Sequence, residues 1–224
     1  MYAANPAKMI RMLFSRRIVS SFPFPIATLA LLAIAVAALP QENIPGKLSR
    51  QAFARKLSAS AVERTNHIVR YDPAYVRIPY PGGDVPAETG VCTDEIIRSY
   101  RALGIDLQKE AHEDMTRNFS AYPNQLRWGL AHTDSNIDHR RVPNLMAFFS
   151  RNAESLDLSN RARDYFSGDL VTWDLGGGVP HIGIVVDRKS ASTGRLMVVH
   201  NIGRGPKNGR SSLPMENYRP LPLL

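Results

Sequence analysis

Cys92 is the only cysteine of the chain, and it directly precedes an apolar pattern of helical period formed by Ile96, Ile97, Tyr100 and Leu103. The spacing predicts that Cys92 occupies the first turn of a helix. There the backbone N–H groups lack partners within the helix and the macrodipole is positive. Such a position favours the thiolate and can lower a cysteine pKa from about 8.5 to roughly 3.5–7.5. We therefore predict that Cys92 is a nucleophile.

Two histidines stand where a base for this thiol would be needed. His181 opens the apolar run of residues 181–186, and His200 closes the run of residues 196–200. If the two runs form an antiparallel hairpin, the start of one lies beside the end of the other. This predicts a triad in which Cys92 attacks, His181 transfers the proton and His200 orients His181. Asn201 is the alternative third member, because a shift of one residue reverses the face of the strand.

The elements around these residues predict an α+β fold. Residues 169–173, 181–186 and 196–200 form three strand patterns after a largely helical first part, which favours an antiparallel sheet with the cysteine helix packed on it. The pattern predicts helices at residues 48–68, 92–102, 111–119 and 144–152, a loop at 72–84 and an irregular polar stretch at 122–142. Residues 47–224 are expected to form a single domain.

The segments Gly168-Asp169-Leu170-Val171, His181-Ile182-Gly183-Ile184-Val185 and Val199-His200-Asn201 resemble the second half of the NlpC-type papain-like cell-wall hydrolases. More narrowly, the segments at residues 91–94, 136–142 and 181–185 resemble a bacterial family catalogued as domain of unknown function 1287. This second resemblance covers residues 71–218.

The resemblance implies a papain-like, NlpC-type fold and a Cys–His–polar site at Cys92, His181 and His200. It also implies hydrolysis of an amide bond in peptidoglycan peptides without a cofactor, and it suggests Tyr80 as a hydroxyl near the oxyanion. The chain departs from the hydrolases after the nucleophile, where Thr93-Asp94 replaces their usual Ser-Gly. The Asp94 carboxylate would raise the thiol pKa unless it points away or caps the helix, and we expect it to influence substrate choice.

The polar segment at residues 136–142 is expected to line the rim of the cleft. Arg140 and Arg141 could bind a substrate carboxylate there, since arginine recognises carboxylates through two parallel hydrogen bonds. A structural ion pair is the alternative. We predict no metal site, because the nearby acidic residues and histidines lack both the calcium-loop pattern and helical zinc-ligand spacing: His132, Asp134, Asp138 and His139.

The N-terminus is typical of an export signal. Lys8, Arg11, Arg16 and Arg17 precede an uncharged stretch at residues 18–41, whose densest apolar part is about the length of a signal core. Residues 1–40 are predicted to be a cleaved signal peptide or an uncleaved membrane anchor through residues 18–40, and a buried helix is the third possibility. The expected location is therefore the periplasm or cell envelope, where a lone unpaired thiol needs a purpose.

The overall charge does not indicate nucleic-acid binding. The formal net charge is +8 and would fall to +4 without the leader's four basic residues, and no basic run alternates with aromatic residues. The expected partner is peptidoglycan or another envelope substrate. Two alternatives stay open: a papain-like acyltransferase or lipid-amide hydrolase, and an envelope-binding module without catalysis.

Overall fold

The computed structural model describes residues 12–13, 49–156, 159 and 161–202. The predicted signal or anchor at residues 1–40 lies outside the described residues apart from Met12 and Leu13, so its role stays a prediction. Within the described ranges, no helix is both long and apolar enough to cross a bilayer.

The helices follow the apolar periodicity of the sequence with small shifts at their ends. Their bounds are α1 Arg50–Arg64, α2 Cys92–Arg101, α3 Leu107–Arg117, α4 Asn124–Trp128 and α5 Val142–Asn152. Short 3-10 turns span Phe119–Ala121, Asp138–Arg140 and Ala162–Asp164. The expectation that residues 122–142 are irregular was wrong in part, because α4 and one 3-10 turn lie within them. The five-residue α4 ends at Gly129, whose φ of 64° supplies the left-handed C-cap.

Three strands near the end of the described chain form the main sheet. Strands β5 (Leu170–Asp174), β6 (Pro180–Lys189) and β7 (Leu196–Val199) lie in the order β5-β6-β7, and both pairings are antiparallel. Two further pairs are short: β1 (Met12–Leu13) with β4 (Glu154–Ser155), antiparallel, and β2 (Arg70–Tyr71) with β3 (Thr89–Gly90), parallel. The architecture is therefore α+β with small sheets.

The main sheet is buried on both faces, which explains why β6 is nearly all apolar. Ile182 and Ile184 belong to the larger core together with residues of α1, α2 and α5. The alternating residues form a second cluster on the other face with Tyr165: Val171, Trp173 and Val185. Since side chains alternate along a strand, residues with odd numbers in β6 share the face of Trp173.

Helix α2 is buried along almost its whole length. Its apolar residues Ile96, Ile97 and Tyr100 enter the larger core. Thr93, Asp94, Glu95 and Arg98 are also buried, although they are polar or charged. Buried charges need partners, and each has one: Asp94 pairs with Arg140, Arg98 with Asp84, and Glu95 with Arg64.

Candidate active site

The thiol of Cys92 lies at the first residue of α2, as the sequence predicts. Val91 precedes it in an extended conformation, and only 4% of Cys92 is exposed. The backbone N–H groups of Ile182 and Thr93 lie near the sulfur and lower the thiol pKa. The helix start thus holds the thiol against the first turn of its own helix and against strand β6.

The pKa of the Cys92 thiol is raised to about 12: burial raises it most, the nearby Ile182 N–H lowers it and Asp94 raises it. The expectation of a lowered pKa was therefore wrong. The reason is one of magnitude: a helix terminus contributes about 0.3–1 kcal/mol, which is less than one pKa unit. Complete burial can shift a pKa by roughly 3–5 units. The free protein thus holds a neutral thiol.

His181 and His200 meet on the face of the main sheet that carries Trp173. Nε2 of His181 lies 3.0 Å from Nδ1 of His200, and both rings are buried. Trp173 on β5 stands opposite His181 in the sheet register, and its ring contacts both imidazoles edge to face, at centroid distances of 4.7 and 5.3 Å. The tryptophan shields the hydrogen bond between the histidines from water.

Gly183 allows His200 to approach His181. The strand register pairs Ile184 with Val199, so His200 follows across from Gly183. A Cβ atom built on Gly183 would lie 2.5 Å from Val198 Cγ1, 2.9 Å from the Val199 carbonyl oxygen and 3.2 Å from His200 Cβ. No side chain fits in this space. Glycine at this position therefore sets the distance between the two strands that carry the histidines.

Both imidazoles are neutral near pH 7. Burial lowers the pKa of His181 to about 3, with a further contribution from His200, and burial lowers the pKa of His200 to about 4. Among the residues that the structure describes, no hydrogen bond joins the Cys92 sulfur to the His181 ring. The sulfur instead contacts the N–H of the next residue, Ile182. Apo enzymes often tighten such contacts only when substrate binds.

Asn201 has a different partner from His200. Its side-chain amide donates to the carbonyl of Gly90 at 3.0 Å, and the same carbonyl accepts the N–H of Asp72 at 3.2 Å. The structure therefore brings His200, and not Asn201, to His181. Asn201 instead fixes the end of β7 to the segment that leads into Cys92.

Asp94 and Arg140 form a buried ion pair beside the nucleophile. Arg140 donates from Nε and Nη2 to the two carboxylate oxygens of Asp94 at 2.9 and 3.0 Å, and the carboxylate also accepts the N–H of Val91 at 2.7 Å. Arg140 further donates to the carbonyls of Ala74 and Asp72. For Arg140 the structure therefore shows the ion-pair alternative, and both side chains are buried with their charges paired, which leaves neither exposed to bind substrate. Asp94 caps the helix instead.

Tyr80 does not contact the thiol. Tyr80 is 41% exposed. Its ring packs edge to face on His112, and its hydroxyl donates to the Glu113 carboxylate at 3.5 Å. Tyr71 is the tyrosine near Cys92: burial raises its pKa, the neighbouring Cys92 and Asp94 also raise it, and Arg140 lowers it. Its backbone pairs with Gly90 across β2 and β3. A pairing of two-residue strands across a long loop leaves no periodic signal in the sequence, so Tyr71 was missed.

Arg141 differs from its neighbour Arg140. Its guanidinium carbon lies 4.4 Å from the centre of the Trp128 ring, and the residue is half-buried. The segment at residues 136–142 is thus not one uniform polar rim, because its two arginines have different surroundings.

Of the residues considered as metal ligands, Asp138 is paired with His112 at 3.0 Å and Asp134 accepts the hydroxyl of Tyr75 at 3.1 Å. Within the described ranges, no group of three or more histidine, cysteine, aspartate or glutamate side chains could hold a metal ion.

Most of the chain matches a known protein family. Residues 58–217 match the family described as Domain of unknown function (DUF1287). The chain belongs to this family. A curated relative, "Uncharacterized protein YijF" of Escherichia coli (strain K12), is 53% identical over 135 residues, which are 60% of this chain and 64% of the relative. The chain therefore spans somewhat less than two thirds of that relative's length. No solved structure matches the chain.

Proposed function

We propose that this member of the family is an exported thiol hydrolase of papain-like, NlpC-type architecture that cleaves an amide bond in peptidoglycan peptides. One observation carries the proposal: His181 at the start of β6 and His200 just after β7 form a buried hydrogen-bonded pair, and the residue after His181, Ile182, has its N–H beside the Cys92 sulfur. A cysteine at a helix start, a histidine and a third polar group that orients it are the components of a thiol hydrolase.

In the first step, the Cys92 sulfur attacks the carbonyl carbon of the amide while His181 accepts the thiol proton. Because the resting thiol and imidazoles are neutral, the proton moves as the new C–S bond forms. The C–N bond then breaks, and His181 returns the proton to the departing amine. The product is a thioester between Cys92 and the acyl part of the substrate.

In the second step, water attacks the thioester, and His181 accepts a proton from that water. The C–S bond breaks, the proton passes to the sulfur, and the free carboxylic acid leaves. In both steps a negative charge develops on the carbonyl oxygen. We assign its stabilisation to the backbone N–H of Cys92 and the hydroxyl of Tyr71, in place of Tyr80.

The surrounding residues support this assignment by fixing the reacting groups. His200 binds Nε2 of His181, which leaves Nδ1 as the ring nitrogen that would accept the thiol proton. Trp173 packs against both rings. The predicted leader at residues 1–40 would carry the enzyme to the periplasm or hold it at the inner membrane, where its substrate lies.

A second candidate function follows from the loop between β5 and β6. Leu175 and Val179 flank Gly176–Gly178 just before His181, and 38% and 53% of these two residues are exposed. Arg127 on α4 donates to the Gly178 carbonyl at 3.0 Å, which joins α4 to this loop. Apolar residues at the mouth of the site would suit an acyl chain, as in a papain-like acyltransferase or lipid-amide hydrolase.

The test is mass spectrometry of purified peptidoglycan after incubation with the full chain and with its Cys92→Ala variant. New peptide fragments from the unmodified chain alone are the expected result, and their masses identify the bond. If the two digests are identical, a panel of N-acyl amides examines the second candidate. Failure of both panels would leave an envelope-binding module without catalysis.

A further inference from the structure

The guanidinium of Arg141 is stacked on Trp128, but it donates no hydrogen bond within the described structure. It lies over the Trp128 ring at 4.4 Å, closer than the Arg127 guanidinium at 5.7 Å from the same ring. Arginine stacked on an aromatic face keeps its N–H edge available for hydrogen bonds in the plane of the group. The stacking therefore fixes the orientation of a cation whose donors point elsewhere.

The side-chain donors of Arg141 make no hydrogen bond to any residue that the structure describes, and its Nη1 atom is buried without a partner. Asp134 lies near enough to act on it electrostatically, yet no salt bridge joins them. The Asp134 carboxylate already accepts hydrogen bonds from Tyr75 and Asn136. Several other arginines donate to carboxylates: Arg98 and Arg101 to Asp84, Arg140 to Asp94, and Arg151 to Asp114.

The surroundings place Arg141 beside the reacting groups. The carbonyl of Arg140, the preceding residue, accepts the hydroxyl of Thr93, which follows the nucleophile, at 3.0 Å. On the other side, α4 carries Trp128 and is joined to the loop before His181 through Arg127 and Gly178. Arg141 and Trp128 are thus each one residue from a contact, Arg141 from the contact to Thr93 and Trp128 from the contact to the loop before His181.

We propose that Arg141, held on the face of Trp128, binds a free carboxylate of the peptide substrate next to the scissile amide. The proposal rests on the proposed function and gives its substrate class: anionic peptides. Arginine binds carboxylates through two parallel hydrogen bonds, and a half-buried guanidinium to which no carboxylate is hydrogen-bonded gains most from such a ligand. Arg140 cannot take this role, because Asp94 already occupies its donors.

The test compares soluble peptides released from peptidoglycan with the same peptides after their carboxyl groups are converted to methylamides. The full chain is assayed beside Arg141→Gln and Arg141→Lys, with Arg188→Gln as the control because Arg188 is exposed at the far end of β6. For the untreated peptides, we expect Arg141→Gln to lower kcat/KM roughly 10- to 100-fold, with most of the loss in KM. Arg141→Lys should recover part of it, and the control should equal the unmodified chain.

Binding separates this proposal from the proposed function. Calorimetry with the Cys92→Ala variant measures affinity for the untreated and amidated peptides when no turnover is possible. Suppose that Cys92→Ala binds the untreated peptides more tightly than the amidated ones, and that the double variant with Arg141→Gln binds both equally. The carboxylate site is then supported even where no hydrolysis occurs. Equal affinity for both sets of peptides, or a preference that Arg141→Gln leaves unchanged, overturns it.

Discussion

Two buried polar clusters, the ion pair of Asp94 and Arg140 and the pair of His181 and His200, are built in opposite ways. In the ion pair of Asp94 and Arg140, both carboxylate oxygens are bound and the guanidinium donates four hydrogen bonds. In the histidine pair, Nε2 of His200 is buried without a partner in the described structure, and both rings are neutral. A satisfied, charged cluster stabilises a fold, whereas an incompletely satisfied one costs stability and needs another purpose.

This contrast separates stability from chemistry at neighbouring residues. Removing part of the ion pair should damage folding, and removing part of the histidine pair should damage turnover. The predictions below test this separation, beginning with the largest expected effect.

Changing His181 to Gln should lower kcat on the peptidoglycan substrate by roughly 10²- to 10⁴-fold, because the thiol loses its general base. The side-chain amide of glutamine can still hydrogen-bond to His200, so the free energy of unfolding should fall by less than about 1.5 kcal/mol. Initial rates and urea unfolding of the same preparation measure the two effects. A variant that keeps more than a tenth of the activity would remove His181 from the mechanism.

Changing Asp94 to Asn should lower the free energy of unfolding by about 3–5 kcal/mol, because the buried Arg140 loses its counterion. The asparagine can still accept the N–H of Val91, so the helix cap is kept and the effect reports on the charge. Urea midpoints at constant m value measure it. Adding Arg140→Met should restore much of the loss; additive losses would show that the two residues act independently.

Changing Gly183 to Ala should lower the free energy of unfolding by about 1–3 kcal/mol, since the new methyl group overlaps Val198 and the Val199 carbonyl. It should also lower activity, because the strands that carry the two histidines are forced apart. Combining it with Val198→Ala removes one of the two overlaps. The double variant should recover part of the stability but not full activity, and full recovery of both would contradict this role of Gly183.

Acidification should destabilise the fold through its buried histidines. Burial lowers the pKa of His139 to about 3, as it does for His181, and the pKa of His200 to about 4. The unfolded chain takes up these protons near pH 6.5 but the folded chain does not. Stability is therefore complete above that pH and is lost as the pH falls toward 3–4, by up to about 1.4 kcal/mol per pH unit for each histidine.

The measurement is the urea midpoint between pH 7 and pH 4 for the unmodified chain and for His139→Gln. The variant should show a shallower decline, because one of the three histidines no longer contributes. The buried Glu95, whose pKa burial raises to about 7, acts in the opposite direction over part of this range, so Glu95→Gln should steepen the decline. Identical slopes in all three proteins would disprove the assignment.

The sequence predicted the parts of the site that depend on local pattern. Helical periodicity after Cys92 places the thiol at a helix start, and the alternation of two apolar runs brings His181 and His200 together. Both follow from short-range geometry, which periodicity reports directly.

Long-range pairing and burial could not be predicted in the same way. Asp94 and Arg140 are 46 residues apart, and nothing in either segment indicates the other as a partner. The raised pKa of Cys92 depends on how completely the fold excludes water, which the helix position does not reveal. Tyr71 rather than Tyr80 lies near the thiol because two-residue strands pair across a loop.

The hydrogen bonds to the Gly90 carbonyl bear on when the site forms during folding. This carbonyl binds Asp72 on one side and Asn201 on the other, and Asn201 lies 111 residues further along the chain. A chain still emerging from the ribosome, or threaded unfolded through an export channel, has made Cys92 long before it can make His200 and Asn201. Its thiol would travel without a base. Reactivity would begin only at the destination, once the last strand has docked.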